Sequence, residues 1–393
     1  MPTPNDIKPR APLAPVLARG TFGAPHRPAA ASVLGAGDVR MVTSGRIAIA
    51  LALREMHVGA GDTVLVPAYH SMSMIPPVLA CGARVVFYKV GPDAQVDLAD
   101  IAARLDATVK VLMVTHYFGI AQNMAALRAL CDKDALFLLE DCAHCFFGEH
   151  EGKPAGYWGD YAIASSMKFF PIYEGGCLVS ARHVLRTPPT VSAGKGFEVK
   201  ACLNALENSF AYGRLPLVHA LLWLPLKLKA ALWGRLKQRA APALTGTLTP
   251  SSSDSSYEFD ARWLDKRASW FSRTVIAHAS HARIVARRRA NYLQLQQALV
   301  GLPGCRPLFA ALPDGACPWL FPLLVDAPQP LFERLLAARV PMTRFAETLW
   351  PGAEMCANSA ALSRQVIAFP VHQELRADEV AWMTVAIRAA LAA

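Results

Sequence analysis

Between residues 44 and 180, short apolar runs alternate with helix-compatible runs. This alternation constrains the fold more than any other feature of the chain. Thr63 to Val66, Ala83 to Tyr88, Val109 to Thr115 and Ala135 to Glu140 are dominated by apolar and β-branched residues. A strand with one wet face alternates apolar and polar residues. One that is apolar throughout is covered on both faces, and such strands separated by helices pair in parallel. The expectation is an α/β fold with a mostly parallel central sheet and helices on both faces. Ligands in such sheets bind beyond the carboxyl ends of the strands, so polar residues there come first.

The chain has 393 residues, 53% of them hydrophobic and 18% charged, which excludes a disordered polypeptide. The length leaves room for a large domain and a smaller one. Residues 1–38, rich in Pro, Ala and Gly, read as an extended arm. The large domain is expected over 39–260 and a small α+β domain over 261–393. The latter includes a strand from Trp319 to Val325 and helices over Pro330 to Ala338 and Ala377 to Leu391. A helix-like stretch covers 264–300, and 246–256 reads as a polar linker. The nine cysteines are odd in number and scattered, which fits thiols in a reducing compartment. The N-terminal stretch has no continuous apolar core of a signal peptide, and no run of about 18 uncharged apolar residues occurs. A cytoplasmic location is expected, with a peripheral contact at the inner face of the membrane as an option.

The net charge is +10, and nearly all of it falls within 201–289. The segment 201–240 carries Lys or Arg at 214, 227, 229, 235, 237 and 239 against Glu207 alone, among Leu, Ala and Trp. Such a pattern suits an interfacial membrane helix, or a helical hairpin packed on the domain or on a partner subunit. Nucleic acid is not expected, because no groove-reading or stacking motif accompanies the charge.

The run Ala135 to Glu140 leads directly into Asp141-Cys142-Ala143-His144. Further on, Ser165-Ser166-Met167-Lys168 precedes Glu174-Gly175-Gly176 and a strand-like Cys177 to Ser180. Earlier, Thr43-Ser44-Gly45-Arg46 opens an apolar helical run, and a helix start presents free N–H groups to an anion. Together these meet three needs of pyridoxal 5′-phosphate (PLP): a lysine for a Schiff base, a carboxylate for the pyridine nitrogen, and an anion site. Cys142 and Cys145 form a C-x-x-C that could serve redox or zinc chemistry. No second pair at zinc spacing follows, and no metal is expected.

Several segments carry a family resemblance: SGRIAIALALREMHVGAGDTVLVPAY, VTHYFGIAQNMAAL, LLEDCAH, GDYAIASSMKFFPIYEGGCLVS, RRRANY and VIAFPVH. The chain resembles the DegT/DnrJ/EryC1/StrS aminotransferases, the sugar-aminotransferase branch of the fold-type-I PLP enzymes. The resemblance implies Lys168 as Schiff-base lysine and proton shuttle. It puts Asp141 on the pyridinium nitrogen, His144 near the phenolic oxygen, and Ser44, Gly45 and Arg46 at the phosphate. Arg46 stands where the family has Thr. The ring-stacking aromatic falls on Ser71, so His70 or Tyr69 is expected to stack. The phosphate serine falls on Ile163, so Ser165 or Ser166 is expected to replace it. Arg344 and Trp350 fall where the small domain reaches the substrate, and His116, Tyr117 and Glu174 read as site-lining or structural. The implied activity moves an amino group from an amino acid, expected to be glutamate, to a keto-sugar nucleotide or related carbonyl compound. The implied assembly is a homodimer. Two alternatives stand beside it: a non-catalytic membrane-associated scaffold on the same fold, and PLP chemistry such as sugar dehydration. The dehydratase branch has His in place of the lysine, which Lys168 opposes.

Overall fold

The computed structural model of the chain describes residues 8–23, 30–186, 190–224, 227 and 259–393. The polar stretch 246–256 and most of 225–240 lie outside the described residues.

Seven strands form the main sheet: β1 (Asp38–Val42), β2 (Thr63–Pro67), β3 (Arg84–Tyr88), β4 (Val109–Thr115), β5 (Phe137–Asp141), β8 (Tyr161–Ser165) and β9 (Gly176–Ser180). Their order is β1-β9-β8-β5-β4-β2-β3. β3, β2, β4, β5 and β8 are mutually parallel, and β9 runs against both β8 and β1. Every residue of β2, β8 and β9 is buried, the signature of strands covered on both faces. A two-stranded hairpin, β6 (Glu149–His150) with β7 (Lys153–Pro154), lies between β5 and β8 in the chain. The helix α1 (Gly45–Glu55) is apolar almost all round, and Gly45 through Leu53 are all buried. Ser44 starts it: its Oγ accepts from the Ile47 N–H at 3.3 Å.

A second, antiparallel sheet holds β10 (Cys305–Pro307), β11 (Leu320–Val325) and β12 (Val366–Pro370). Helices over His281–Leu299, Pro328–Ala337 and Ala377–Ala392 accompany it. One apolar core runs from the main sheet (Leu65, Leu112, Leu138) into this one (Phe321, Ile367, Phe369), so the two sheets are packed through a shared interior.

One local expectation is corrected. The helix-like stretch 264–300 is two helices, Trp270–His278 and His281–Leu299. Between them Ala279 and Ser280 are extended, because Ala279 pairs as a bridge with Phe22 and the Ser280 N–H donates to the Thr21 carbonyl. The described part of the N-terminal segment is irregular in backbone but packed. Ala11, Val16 and Leu17 are buried, the Arg10 N–H donates to the Arg339 carbonyl, and the Arg10 guanidinium lies 4.6 Å from the Trp382 ring centre.

Candidate active site

β5 ends at Asp141, in register with Thr115 of β4 on one side and Ile163 of β8 on the other. Its carboxylate accepts from the Ala143 N–H at 2.9 Å and from the Thr115 hydroxyl at 3.3 Å. Burial pushes its pKa up, opposed by the Ala143 hydrogen bond and the nearby Lys168 charge. Asp141 is thus a dehydrated carboxylate that a cationic ring nitrogen would stabilise.

β8 ends at Ser165, and a single 3₁₀ turn, Ser166–Lys168, places Lys168 beside it. A cavity of about 450 Å³ opens there, lined by Gly45, Arg46, Ser71, Asp141, His144, Ile163, Ser165, Lys168 and Phe345 among others. The cavity therefore joins the carboxyl ends of β5 and β8 to the start of α1. The Lys168 Nζ lies 4.6 Å from the centre of the Trp319 ring, against which the His144 ring also packs at 3.9 Å. His144 is buried, and burial followed by the Lys168 charge holds its pKa well below the usual histidine value. Its Nδ1 accepts from the Phe118 N–H at 3.4 Å, so the neutral ring carries its proton on Nε2, a donor for an oxygen.

The backbone under the lysine is held from the second sheet. Arg288 is fully buried. Its guanidinium donates to the carbonyls of Lys168 at 2.8 Å, Pro318 at 3.2 Å and Trp319 at 3.1 Å, and to the Gln373 side chain at 3.0 Å. One buried cation thus ties together the lysine, the tryptophan beside it and the β12 end. The loop after Lys168 is pinned by Glu174, which accepts from the Ser269 N–H at 3.1 Å and hydroxyl at 2.7 Å. Gly176 presses that loop onto α1. A Cβ there would sit 2.4 Å from the Ser44 carbonyl carbon and 2.6 Å from the Gly45 nitrogen.

Next to Asp141, Glu140 accepts from the Gly156 and Gly159 N–H groups and from His116 Nε2 at 3.1 Å. His116 Nδ1 accepts from the Gln122 N–H. His116, Glu140 and Cys142 lie close enough to hold a metal, yet both ring nitrogens and both carboxylate oxygens are already taken by the protein. Cys142 and Cys145 are buried thiols whose pKa values burial raises, which opposes a redox pair.

The structure brings Lys168, Asp141, His144, Gly45, Arg46 and Ser165 to one cavity and leaves five expected contributors, Ser44, Tyr69, His70, Arg344 and Trp350, outside its lining. The hydroxyl of Ser44 caps α1. The ring of His70 stacks on Phe87 at 5.0 Å, its Nδ1 meets the Ala68 carbonyl, and its Nε2 accepts from the Trp350 N–H. That ring packs on the protein interior and lies outside the cavity lining. Tyr69 is likewise buried against Tyr117 and Phe345. Ser71 itself lines the cavity. Of the pair Arg344 and Trp350, the first is paired with Glu347 and the second serves His70 through its backbone. Phe345 lines the cavity instead. Sequence reasoning missed Phe345, Trp319 and Arg288 as parts of the site. Arg288 stood within the family-like RRRANY, and that motif was the available signal.

The DegT/DnrJ/EryC1/StrS aminotransferase family model matches residues 22–224, more than half of the chain. The chain belongs to this family. Over 147 residues it is 32% identical to GDP-perosamine synthase of Vibrio cholerae, covering 37% of this chain and 40% of that one. Over 145 residues it is 32% identical to the UDP-N-acetyl-3-dehydro-alpha-D-glucosamine 3-aminotransferase of Acidithiobacillus ferrooxidans, covering 35% and 38%. The chain thus matches about two fifths of the length of these relatives. Among solved structures, 3-amino-5-hydroxybenzoic acid synthase is similar with a TM-score of 0.63 at 21% identity, over 92% of this chain and 88% of that one. Helicobacter pylori PseC is similar with a TM-score of 0.64 at 14% identity, over 92% and 88%. These likenesses show the fold, that of the fold-type-I aminotransferases, as the residue pattern implied.

Proposed function

We propose that the chain is a PLP-dependent aminotransferase that moves an amino group from an amino acid to a keto sugar, in the making of a glycosylated product. The observation that carries this reading is the meeting of Lys168, the buried Asp141 and the start of α1 at one cavity. Those residues fit PLP: a dehydrated carboxylate stands ready for a ring nitrogen, a lysine amine borders the same space, and Gly45, Arg46 and Ser165 offer an anion site. PLP bound there would supply an electron sink for the bond made and broken at the amino-bearing carbon.

The chain's own residues do the rest. Lys168 Nζ takes a proton from the amino-bearing carbon of the donor and returns it on the acceptor half of the cycle. With PLP bound, Asp141 would hold its negative charge near the ring nitrogen and the His144 Nε2–H would be placed to donate to the ring oxygen. Arg288 keeps the Lys168 main chain in place. The relatives are named for sugar-nucleotide and inosose amination, which favours a keto-sugar nucleotide as acceptor. Glutamate is the expected donor, with glutamine as the competitor to test. A homodimer in the cytoplasm completes the proposal.

The test is spectroscopic. Purified protein titrated with PLP should acquire a protein-bound absorbance band that an amino donor then converts. Lys168→Ala should lack the band. Failure to bind PLP, or a band that survives Lys168→Ala, overturns the assignment. A band that no amino acid converts would point to the scaffold reading instead.

A further inference from the structure

The segment after the helix Lys195–Ala211 has no part in this chemistry. Its described portion turns at Tyr212-Gly213 and enters a helix over 216–224. That helix reads Pro-Leu-Val-His-Ala-Leu-Leu-Trp-Leu and holds no charged residue. Leu217 and Leu221 keep 81% and 80% of their surface exposed, and Val218, Trp223 and Leu224 are exposed as well. Leu217, Leu221 and Leu224 follow the spacing of one helical face. Large apolar side chains facing water together along one helical face mark an interaction surface.

The charge that neighbours this helix in the sequence says what covers it. From Glu207 to Asp254 there is no acidic residue, while Arg214, Lys227, Lys229, Arg235, Lys237 and Arg239 are basic. The Lys227 ammonium sits 4.2 Å from the Trp223 ring centre. At the helix root a recess of about 360 Å³ is lined by Arg19, Arg214, Arg283 and Arg376 with Glu374 as its acid. Arg214 and Arg283 are held by Glu379 and Glu374, which leaves Arg19 and Arg376 exposed at the rim. A two-fold contact with a second copy through this patch would bring these like charges together. An anionic surface complements them. Apolar side chains beside Trp and Lys are the pattern of helices that lie at the boundary of headgroups and acyl chains. Among the described residues no helix is long and apolar enough to cross a membrane.

We propose that the helix beginning at residue 216 docks this aminotransferase-family chain on an anionic phospholipid bilayer. Leu217, Leu221 and Leu224 enter the interface, and the exposed Lys227, Arg19 and Arg376 meet the headgroups. None of these residues lines the Lys168 cavity, so the proposal is independent of the chemistry assigned there.

Flotation of the full chain with vesicles tests it. Vesicles of phosphatidylcholine with about one third phosphatidylglycerol should carry the protein upward, and pure phosphatidylcholine should carry far less. Raising the salt to about 0.5 M should weaken binding severalfold, because the basic side chains are then screened. Leu217→Ser/Leu221→Ser should lower the bound fraction at least tenfold while PLP uptake and the thermal midpoint stay as in the parent. A second variant, Lys227→Glu, should reduce binding to anionic vesicles without touching the apolar face. Light scattering behind a sizing column separates the rival occupant. If the parent does not float, or if the serine variant floats equally well, the proposal is overturned. It is overturned too if the serine variant halves the solution mass and the parent does not float, since the patch is then a subunit contact.

Discussion

Replacing Arg288 by methionine tests how the helix His281–Leu299 holds the backbone of Lys168. The guanidinium donates to three buried carbonyls, those of Lys168, Pro318 and Trp319, and also approaches Phe169, whose carbonyl keeps a second donor in Gln373 Nε2 at 2.8 Å. Methionine fills a comparable volume and leaves the three carbonyls without that donor, at about 1–3 kcal/mol each. One gain offsets this: the wild type must bury a cation, a cost visible in the fall of the Arg288 pKa to about 10 through burial. The net expectation is a loss of about 3 kcal/mol in urea-induced unfolding followed by tryptophan fluorescence. Arg288→Lys should lose less, since one ammonium can reach part of the same set. A merely structural loss would lower stability alone. A positioning role predicts in addition that Arg288→Met, assayed well below its unfolding midpoint, binds PLP at least tenfold more weakly, because the Lys168 backbone is no longer held. A stability change below about 1 kcal/mol, smaller than one unsatisfied buried carbonyl costs, would refute the bonding argument. Unchanged PLP affinity would refute the positioning role.

Gly176→Ala should weaken PLP binding and lower stability by about 2 kcal/mol or more. Its Cβ would sit 2.4 Å from the Ser44 backbone, and the start of α1 would have to shift. Calorimetry of the variant checks the size, and a neutral result would show that the loop can yield. Glu174 is buried with its pKa raised above 4.5 by burial, so folding favours its proton. The stability it contributes is present below pH 4.5 and is lost as pH rises through the folded pKa. Glu174→Gln should therefore gain on the wild type between pH 4 and 7 in urea unfolding, and the opposite slope would contradict the sign. His70→Gln should leave PLP affinity within about twofold while lowering the thermal midpoint by roughly 1–2 kcal/mol worth of packing and hydrogen bonding. A tenfold loss of affinity would return His70 to the site.

The sheet strands were legible because burial on both faces writes itself as unbroken apolar runs, and β2, β4, β5 and β9 begin and end within two residues of where those runs do. Lys168 and Asp141 were legible for a related reason. A strand end is a fixed point in an α/β fold, so a charged residue directly after an apolar run faces the ligand side. His70 also follows a strand, yet its ring turns to Phe87 and the Trp350 backbone, and no local signal separates these two outcomes. The break at Ala279–Ser280 was hidden for the same reason, since its cause is pairing with Phe22 some 250 residues away in the chain.

Sequence by itself determined the class of fold, the strands β2 to β5 and β9, the lysine and carboxylate proposed to carry the chemistry, and the location of the excess charge. Each of these depends on residues close together in the chain, where periodicity and spacing carry the information. Tertiary structure decided which side chains share the cavity. It set Phe345 there instead of Arg344 or Trp350, placed Trp319 between Lys168 and His144, and ran a buried Arg288 beneath the lysine. It also left the helix at 216–224 uncovered. Those outcomes depend on contacts between the two sheets and on which surfaces find a neighbour, and a one-dimensional pattern does not encode either.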